Sequence, residues 1–391
     1  MNIGIYGGTF DPPHLGHMGA AQAAIELLGL DKIIFVPAKQ PPHKDLSGNS
    51  AAPEQRLAMT RLMADSLLMP EKVSVDDLEL ERAGKSYTSD TLRQLRQRYP
   101  EDQLWLLMGT DMFLTLQAWH ECQVILSLAG VAAFARAEAD SPQTFFRQKE
   151  MLEARFGAQV RLLELPKIYN VSSTQIRERG DGADLPVAVW GYILRNGLYG
   201  VNRDLKRLND DDLRACSLSM VYAKRHAHIL GVEQEAVKLA QLWGCDETLA
   251  RRAAILHDCT KYWPPQRHLD YCREYGLELD ELELKSEKLL HAKTGALVAR
   301  HIFGQPDAVF DAIFCHTTGK RDMTLLDKIV YIADYMEPNR DFPGVERLRE
   351  LAYTDLDAAV ILGCEMSIEE MEEKGREVHP NTRMALESLR H

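Results

Sequence analysis

The chain's 391 residues exceed what one ordinary domain holds, so two domains are expected. A 45% hydrophobic and 27% charged composition is that of ordinary soluble protein, and a formal net charge of −12 disfavours DNA or RNA as a partner while leaving small phosphates open. No apolar run reaches membrane-spanning length, no basic segment precedes the first apolar run, and seven cysteines without a CxxC pair suit reduced thiols, so a cytoplasmic protein with no membrane partner is expected.

Strand and helix patterns alternate from the start. Ile3–Tyr6 reads as a buried strand, and the alanine-rich run Met18–Leu28 reads as a helix. Lys32–Pro37 is a second strand, Pro53–Leu68 a helix, Val73–Val75 a short strand, and Thr88–Tyr99 a helix stopped by Pro100. Leu104–Met108, Val131–Ala135 and Val160–Leu165 supply further strands. Such alternation gives a parallel sheet covered by helices on both faces, with ligands at the carboxyl ends of the strands.

Polar clusters fall at those ends. Between the first strand and its helix lies Gly7-Gly8-Thr9-Phe10-Asp11-Pro12-Pro13-His14-Leu15-Gly16-His17. Its glycines let backbone approach a ligand, and the helix start offers N–H groups to phosphate, which marks a nucleotide site. Lys44 follows Pro41-Pro42-His43 on a loop, within reach of a triphosphate. Ser86 or Thr88 is placed to cap the helix that follows. Gly109-Thr110-Asp111 closes the fourth strand, with Trp119 beyond as a ring for stacking. Ser172-Ser173-Thr174-Gln175-Ile176-Arg177 opens a helix with three hydroxyls and a cation, a second phosphate-binding start.

The histidine stretch resembles the HxGH signature of the nucleotidyltransferase superfamily, and Ser172–Arg177 resembles its SSTxIR signature. The intervening clusters narrow the resemblance to bacterial nicotinate-mononucleotide adenylyltransferases, over roughly the first half of the chain. That resemblance implies a Rossmann-like fold and transfer of the adenylyl group of ATP to nicotinate mononucleotide, with Mg2+ on the ATP. It implies that His14, His17, Lys44 and Arg177 act on the phosphates. Gly7, Gly8, Thr9, Phe10, Gly109, Ser172, Ser173 and Thr174 would line the nucleotide. Thr88 and Trp119 would hold the nicotinate ring, and Asp111 would lie near the ribose. Phosphopantetheine is the alternative acceptor.

A short helix, Pro186–Arg195, completes the first domain, residues 1–200. The polar stretch 201–212 reads as a linker. From Leu213 to residue 391 helical patterns follow one another and strand runs nearly vanish, which marks a separate all-α domain. On or near helix ends it carries His228, the pair His257-Asp258, His291, His316 and Asp334. Imidazole and carboxylate in that mixture suit one or two transition-metal ions, iron, manganese or zinc.

This set resembles the HD-domain metal-dependent phosphohydrolases. The local sequences Arg225–Val232, His257–Lys261, His316–Gly319 and Asp327–Arg340 resemble the YqeK-type diadenosine tetraphosphate hydrolases, which cleave symmetrically to two ADP. The resemblance implies His228 rather than His226 as first ligand, Asp258 as ligand and helper of the nucleophile, and Lys261 and Arg340 on the polyphosphate. The expected protein is thus bifunctional, an α/β nucleotidyltransferase followed by an all-α HD domain. An HD domain acting on another nucleotide, or sensing one without turnover, is the alternative. Oligomeric state is left open.

Overall fold

The computed structural model describes residues 1–41, 48–82, 84–135 and 140–390. Two compact units divide the chain, Met1–Asn202 and Arg203–His391.

The first unit is built on six strands: β1 (Asn2–Gly8), β2 (Lys32–Pro37), β3 (Val73–Val75), β4 (Gln103–Gly109), β5 (Gly130–Phe134) and β6 (Val160–Leu163). Their order is β3-β2-β1-β4-β5-β6, and every neighbouring pair is parallel. Helices cover the sheet, so β1, β2, β4 and β5 are buried through their middles and read as unbroken apolar runs. Ile3, Ile5, Ile34, Leu104, Leu106 and Val131 join Leu92, Leu95, Phe113 and Leu152 from the helices in one core. The strand order reverses between β1 and β4, and in doubly wound sheets the ligand crevice opens at such a point.

The first helix begins earlier than its alanine run suggests. It spans Leu15–Leu27, and His14 is its N-cap. The later helices Pro53–Asp65, Thr88–Arg98 and Val187–Asn196 stand where the sequence places them, within three residues at their ends.

The second unit contains no strand among the described residues. The stretch 201–212 contains the unit boundary and carries short helical structure of its own. Leu205–Arg207 forms a 3-10 turn and a helix runs over Asp210–Leu218. Asn209 caps that helix on Asp212 N–H at 2.8 Å, and three aspartates complement its positive end, so the stretch's polarity marks a helix start. Arg252 fastens it, donating to Asp210 Oδ1 and Leu208 O at 3.0 Å each.

The helices His226–Trp243 and Glu247–Leu256 pack together, and fully buried alanines at 236, 240, 250, 253 and 254 permit a close approach. Glu287–His301, Asp307–Cys315 and Leu325–Met336 complete the frame that carries the polar centre. No helix of the described residues is long and apolar enough to cross a membrane. All seven cysteines are free thiols.

Candidate active sites

A cleft of about 340 Å3 opens at the carboxyl ends of β1 and β4. The exit of β1 contributes Gly7, Gly8, Thr9 and Phe10, the next helix contributes His17, and β4 contributes Gly109. Thr88, Trp119 and Ser173 face the same space. Phe10 is 1% exposed and packs edge-on against His17 and Phe35, so it supports the cleft from within the core.

His14 and His17 are locked to each other. His14 Nδ1 accepts from Gly16 N–H, and His17 Nδ1 accepts from His14 N–H, each at 3.2 Å. Their ring centroids stand 3.8 Å apart. Gly16 suits this packing, because a Cβ there would lie 3.0 Å from the His14 ring, closer than most side chains approach.

The two signatures meet in space. Ser173 Oγ donates to Pro12 O at 2.9 Å, and Arg177 Nη1 donates to Asp11 O at 2.5 Å. Asp11 Oδ1 also accepts from Ala51 N–H at 3.0 Å and from the Tyr199 hydroxyl at 2.8 Å. Arg56, which sequence reasoning missed, is the other organiser. Fully buried, it donates to four main-chain carbonyls: Thr9 O at 2.7 Å, Ala38 O at 2.6 Å, Lys39 O at 2.9 Å and Ala51 O at 3.2 Å. It thereby joins the loop after β1 to the loop after β2.

Other expectations in this unit shift. Asp111 is exposed in the first turn of the helix Thr110–Thr115 and does not line the cleft. The N-cap before Thr88 is Tyr87, so neither Ser86 nor Thr88 caps that helix, and Ser86 faces the cleft instead. Ser172 caps its helix through Gln175 N–H at 3.2 Å, and exposed Thr174 accepts from Arg177 at 3.3 Å. Lys44 lies outside the described residues. Buried Glu79 also lines the cleft and accepts from the Thr91 hydroxyl at 2.5 Å.

In the second unit the helices bring all six predicted ligands together. His228, His257 and Asp258 form one triad, and Asp258, His291 and His316 a second, each with donor atoms within 4.8 Å of one another. Asp334 Oδ1 stands 3.0 Å from His228 Nε2. His257 Nδ1 and His316 Nδ1 bond to the carbonyls of Ala254 and Ile313 at 2.6 and 2.7 Å, which turns both Nε2 atoms inward. His226 Nε2 instead meets Leu218 O at 2.9 Å.

Protonation suits a cation. Burial pushes His228 and His291 below the usual imidazole range and His316 down to about 3. Burial alone would raise Asp258, but His257 and His291 outweigh it and hold the carboxyl well below its usual range. Asp334 is held low against its own burial by His228 and His257, with Arg340 adding to the pull. His228, His291 and His316, kept neutral by burial, and the ionised carboxylates of Asp258 and Asp334 converge with His257 on one point, a donor set suited to one or two transition-metal ions.

Cations ring the centre. Lys261 Nζ stands 3.0 Å from Asp258 Oδ1, and Arg340 Nη2 donates to Asp334 Oδ1 at 2.9 Å. Sequence reasoning missed two participants. Arg225 Nε donates to Asp258 Oδ2 at 2.5 Å, and Glu337 Oε1 lies 3.1 Å from His228 Nδ1. Both sat inside quoted motifs, where their charge was the available signal.

Comparison with known proteins follows the same division. Residues 5–179 match the cytidylyltransferase-like family model, and residues 225–339 match the HD domain model. The "Probable nicotinate-nucleotide adenylyltransferase" of Neisseria meningitidis serogroup C is 38% identical over 198 residues, covering 50% of this chain and 98% of that protein. Its namesake from Listeria monocytogenes serotype 4b is 38% identical over 200 residues, covering 51% and 97%. Among solved structures, a "predicted HD superfamily hydrolase involved in NAD metabolism" from Clostridium acetobutylicum is 37% identical, covers 46% of this chain and 97% of that one, and has a TM-score of 0.45. With a parallel-sheet nucleotidyltransferase unit followed by an all-α unit of HD type, the chain belongs, through its first half, to the nicotinate-nucleotide adenylyltransferase family.

Proposed function

We propose that the first unit transfers the adenylyl group of ATP to nicotinate mononucleotide, and that the second hydrolyses diadenosine tetraphosphate symmetrically to two ADP. The observation that carries the first half is the union of the two signatures around one cleft, with Ser173 bonded to Pro12 and His17, Thr88 and Trp119 facing the same space. A phosphate oxygen of nicotinate mononucleotide attacks the α-phosphorus of ATP. The bond from that phosphorus to the β-bridging oxygen breaks, and pyrophosphate leaves with the electron pair. No protein nucleophile is required, so positioning and charge neutralisation supply the catalysis. His14 and His17, fixed against each other, hold the phosphates, with Ser173, Arg177 and Lys44 as further contacts. Ser172 and Thr174 set the helix start beneath them. Asp111, exposed in the turn after β4, would lie near the ribose. Mg2+ accompanying ATP adds neutralising charge.

For the second unit, His228, His257, Asp258, His291, His316 and Asp334 would hold the transition metal, with iron the favoured ion. When bound, such a metal supplies Lewis acidity and lowers the pKa of water. Arg225, Lys261 and Arg340, drawn to the two carboxylates, place cations where a polyphosphate must sit. Water adds to an inner phosphorus, the central P–O–P bridge breaks, and two ADP and two protons are released.

Product analysis tests both halves. Full-length protein given ATP with nicotinate mononucleotide should form nicotinate adenine dinucleotide and pyrophosphate. Preferential use of phosphopantetheine would overturn that reading. Given diadenosine tetraphosphate it should form ADP alone, and ATP with AMP would refute symmetrical cleavage.

A further inference from the structure

We propose that Tyr222, Tyr262 and Lys224 form a nucleobase-binding shelf beside the metal centre, so that this centre takes purine nucleoside polyphosphates in preference to bare phosphates. The proposal rests on the phosphohydrolase reading of the second unit and adds a subsite to it.

Two separate stretches of chain carry the argument, and each does two things. The 3-10 turn Ala223–Arg225 ends in Arg225, which binds Asp258 through its guanidinium. Three residues earlier it begins from Tyr222. The turn after the helix Glu247–Leu256 carries Asp258 and Lys261, bonded at 3.0 Å, and then Tyr262. Both stretches thus direct a cation at the same metal-site carboxylate and place an aromatic ring just outside it.

The two rings meet edge to face with centroids 4.7 Å apart. Lys224 Nζ lies over both, 5.6 Å from the Tyr222 centroid and 5.7 Å from that of Tyr262. Tyr262 packs against Leu218, Val221 and Ile229, which fixes it as a rigid base. Tyr222 is 55% exposed, so a ligand in solution can reach it.

That combination has a definite ligand chemistry. An anchored ring, an open ring and an ammonium stack with and donate to a flat heterocycle bearing ring nitrogens. A purine offers more face than a pyrimidine. Three residues of 3-10 turn advance the chain by about 6 Å, on the scale of the ribose that separates a base from its 5′-phosphate. A base on the shelf therefore puts its phosphates beside Arg225 and Lys261. A bare polyphosphate gains nothing from the shelf.

The test uses full-length, metal-loaded protein and two probes, etheno-ADP followed by fluorescence and inorganic tetraphosphate. Tyr222→Ala should weaken etheno-ADP binding and raise KM for diadenosine tetraphosphate about ten-fold, the loss expected on removing one stacking ring. Metal content, kcat and binding of inorganic tetraphosphate should stay unchanged. Tyr222→Trp should restore affinity. Unaltered KM and etheno-ADP binding in Tyr222→Ala, with wild-type turnover intact, would overturn the shelf and leave the hydrolase reading standing. Etheno-ADP bound through Tyr222 without wild-type turnover would overturn the hydrolase reading and retain the shelf. Equal losses for the nucleotide and for inorganic tetraphosphate would also overturn it, because a merely structural defect acts on both.

Discussion

Replacing Arg56 by methionine should release the loops that shape the adenylyltransferase cleft. Arg56 spends three nitrogens on four carbonyls, and the contacts to Thr9, Ala38 and Lys39 are all under 3.0 Å. A buried acceptor left without its donor costs about 1–3 kcal/mol. Ala51 is buried and would pay that cost in full, whereas Thr9, Ala38 and Lys39 are only partly buried and can recruit water. Methionine also avoids the cost of burying a guanidinium, which offsets part of the loss. The net local loss is therefore about 3 kcal/mol, well short of four full penalties. Read by hydrogen exchange and mass spectrometry, this corresponds to about 150-fold faster exchange at amides of the clamped loops, such as Ala51 N–H, which bonds to Asp11. Dinucleotide synthesis should fall with a rise in KM for ATP. Arg56→Lys should recover only part of the protection, since one ammonium cannot feed carbonyls served by Nε, Nη1 and Nη2. Unchanged exchange in Arg56→Met, or full recovery in Arg56→Lys, would refute the reasoning.

Other outcomes follow from single contacts. Gly16→Ala puts a Cβ 3.0 Å from the His14 ring, and should cut dinucleotide synthesis about ten-fold while leaving phosphohydrolase activity intact, measured on the same preparation. Glu337→Leu removes the partner of His228 Nδ1 and should lower metal affinity about 10–100-fold, read as metal retained after dialysis against chelator. Burial lifts the Glu79 carboxyl above its usual range, against the opposing bond from Thr91. Its contribution to stability is full below the unfolded value and is lost as pH rises through the folded one. Glu79→Gln should flatten that decline in the first unit's thermal unfolding between weakly acidic and neutral pH, and an equally steep profile would count against it.

The parallel sheet was legible because its strands are continuous apolar runs broken by helical spacing, as in Lys32–Pro37 and Gln103–Gly109. The HD cluster was legible because its histidines and aspartates sit on helices or in the turns just after them, at His257, Asp258 and His316, inside recognisable local motifs. The start of the first helix was not. Its N-cap is His14, and histidine is not among the side chains that ordinarily mark a helix start. Arg56 and Arg225 escaped because their partners lie far away in sequence, at Thr9 and Asp258, and a charge alone does not say which residue it will meet. Asp111 is placed less directly. It follows a strand end, yet the turn into the next helix directs Met112 and not Asp111 to the cleft.

The most direct test of two chemistries on one chain is a double dissociation in full-length protein. His17→Ala should abolish dinucleotide formation from ATP and nicotinate mononucleotide and keep both the metal and ADP release from diadenosine tetraphosphate. Asp258→Ala should do the reverse, losing metal by elemental analysis together with hydrolysis. Retention of metal in Asp258→Ala, or pyrophosphate release at the wild-type rate in His17→Ala, would contradict the account.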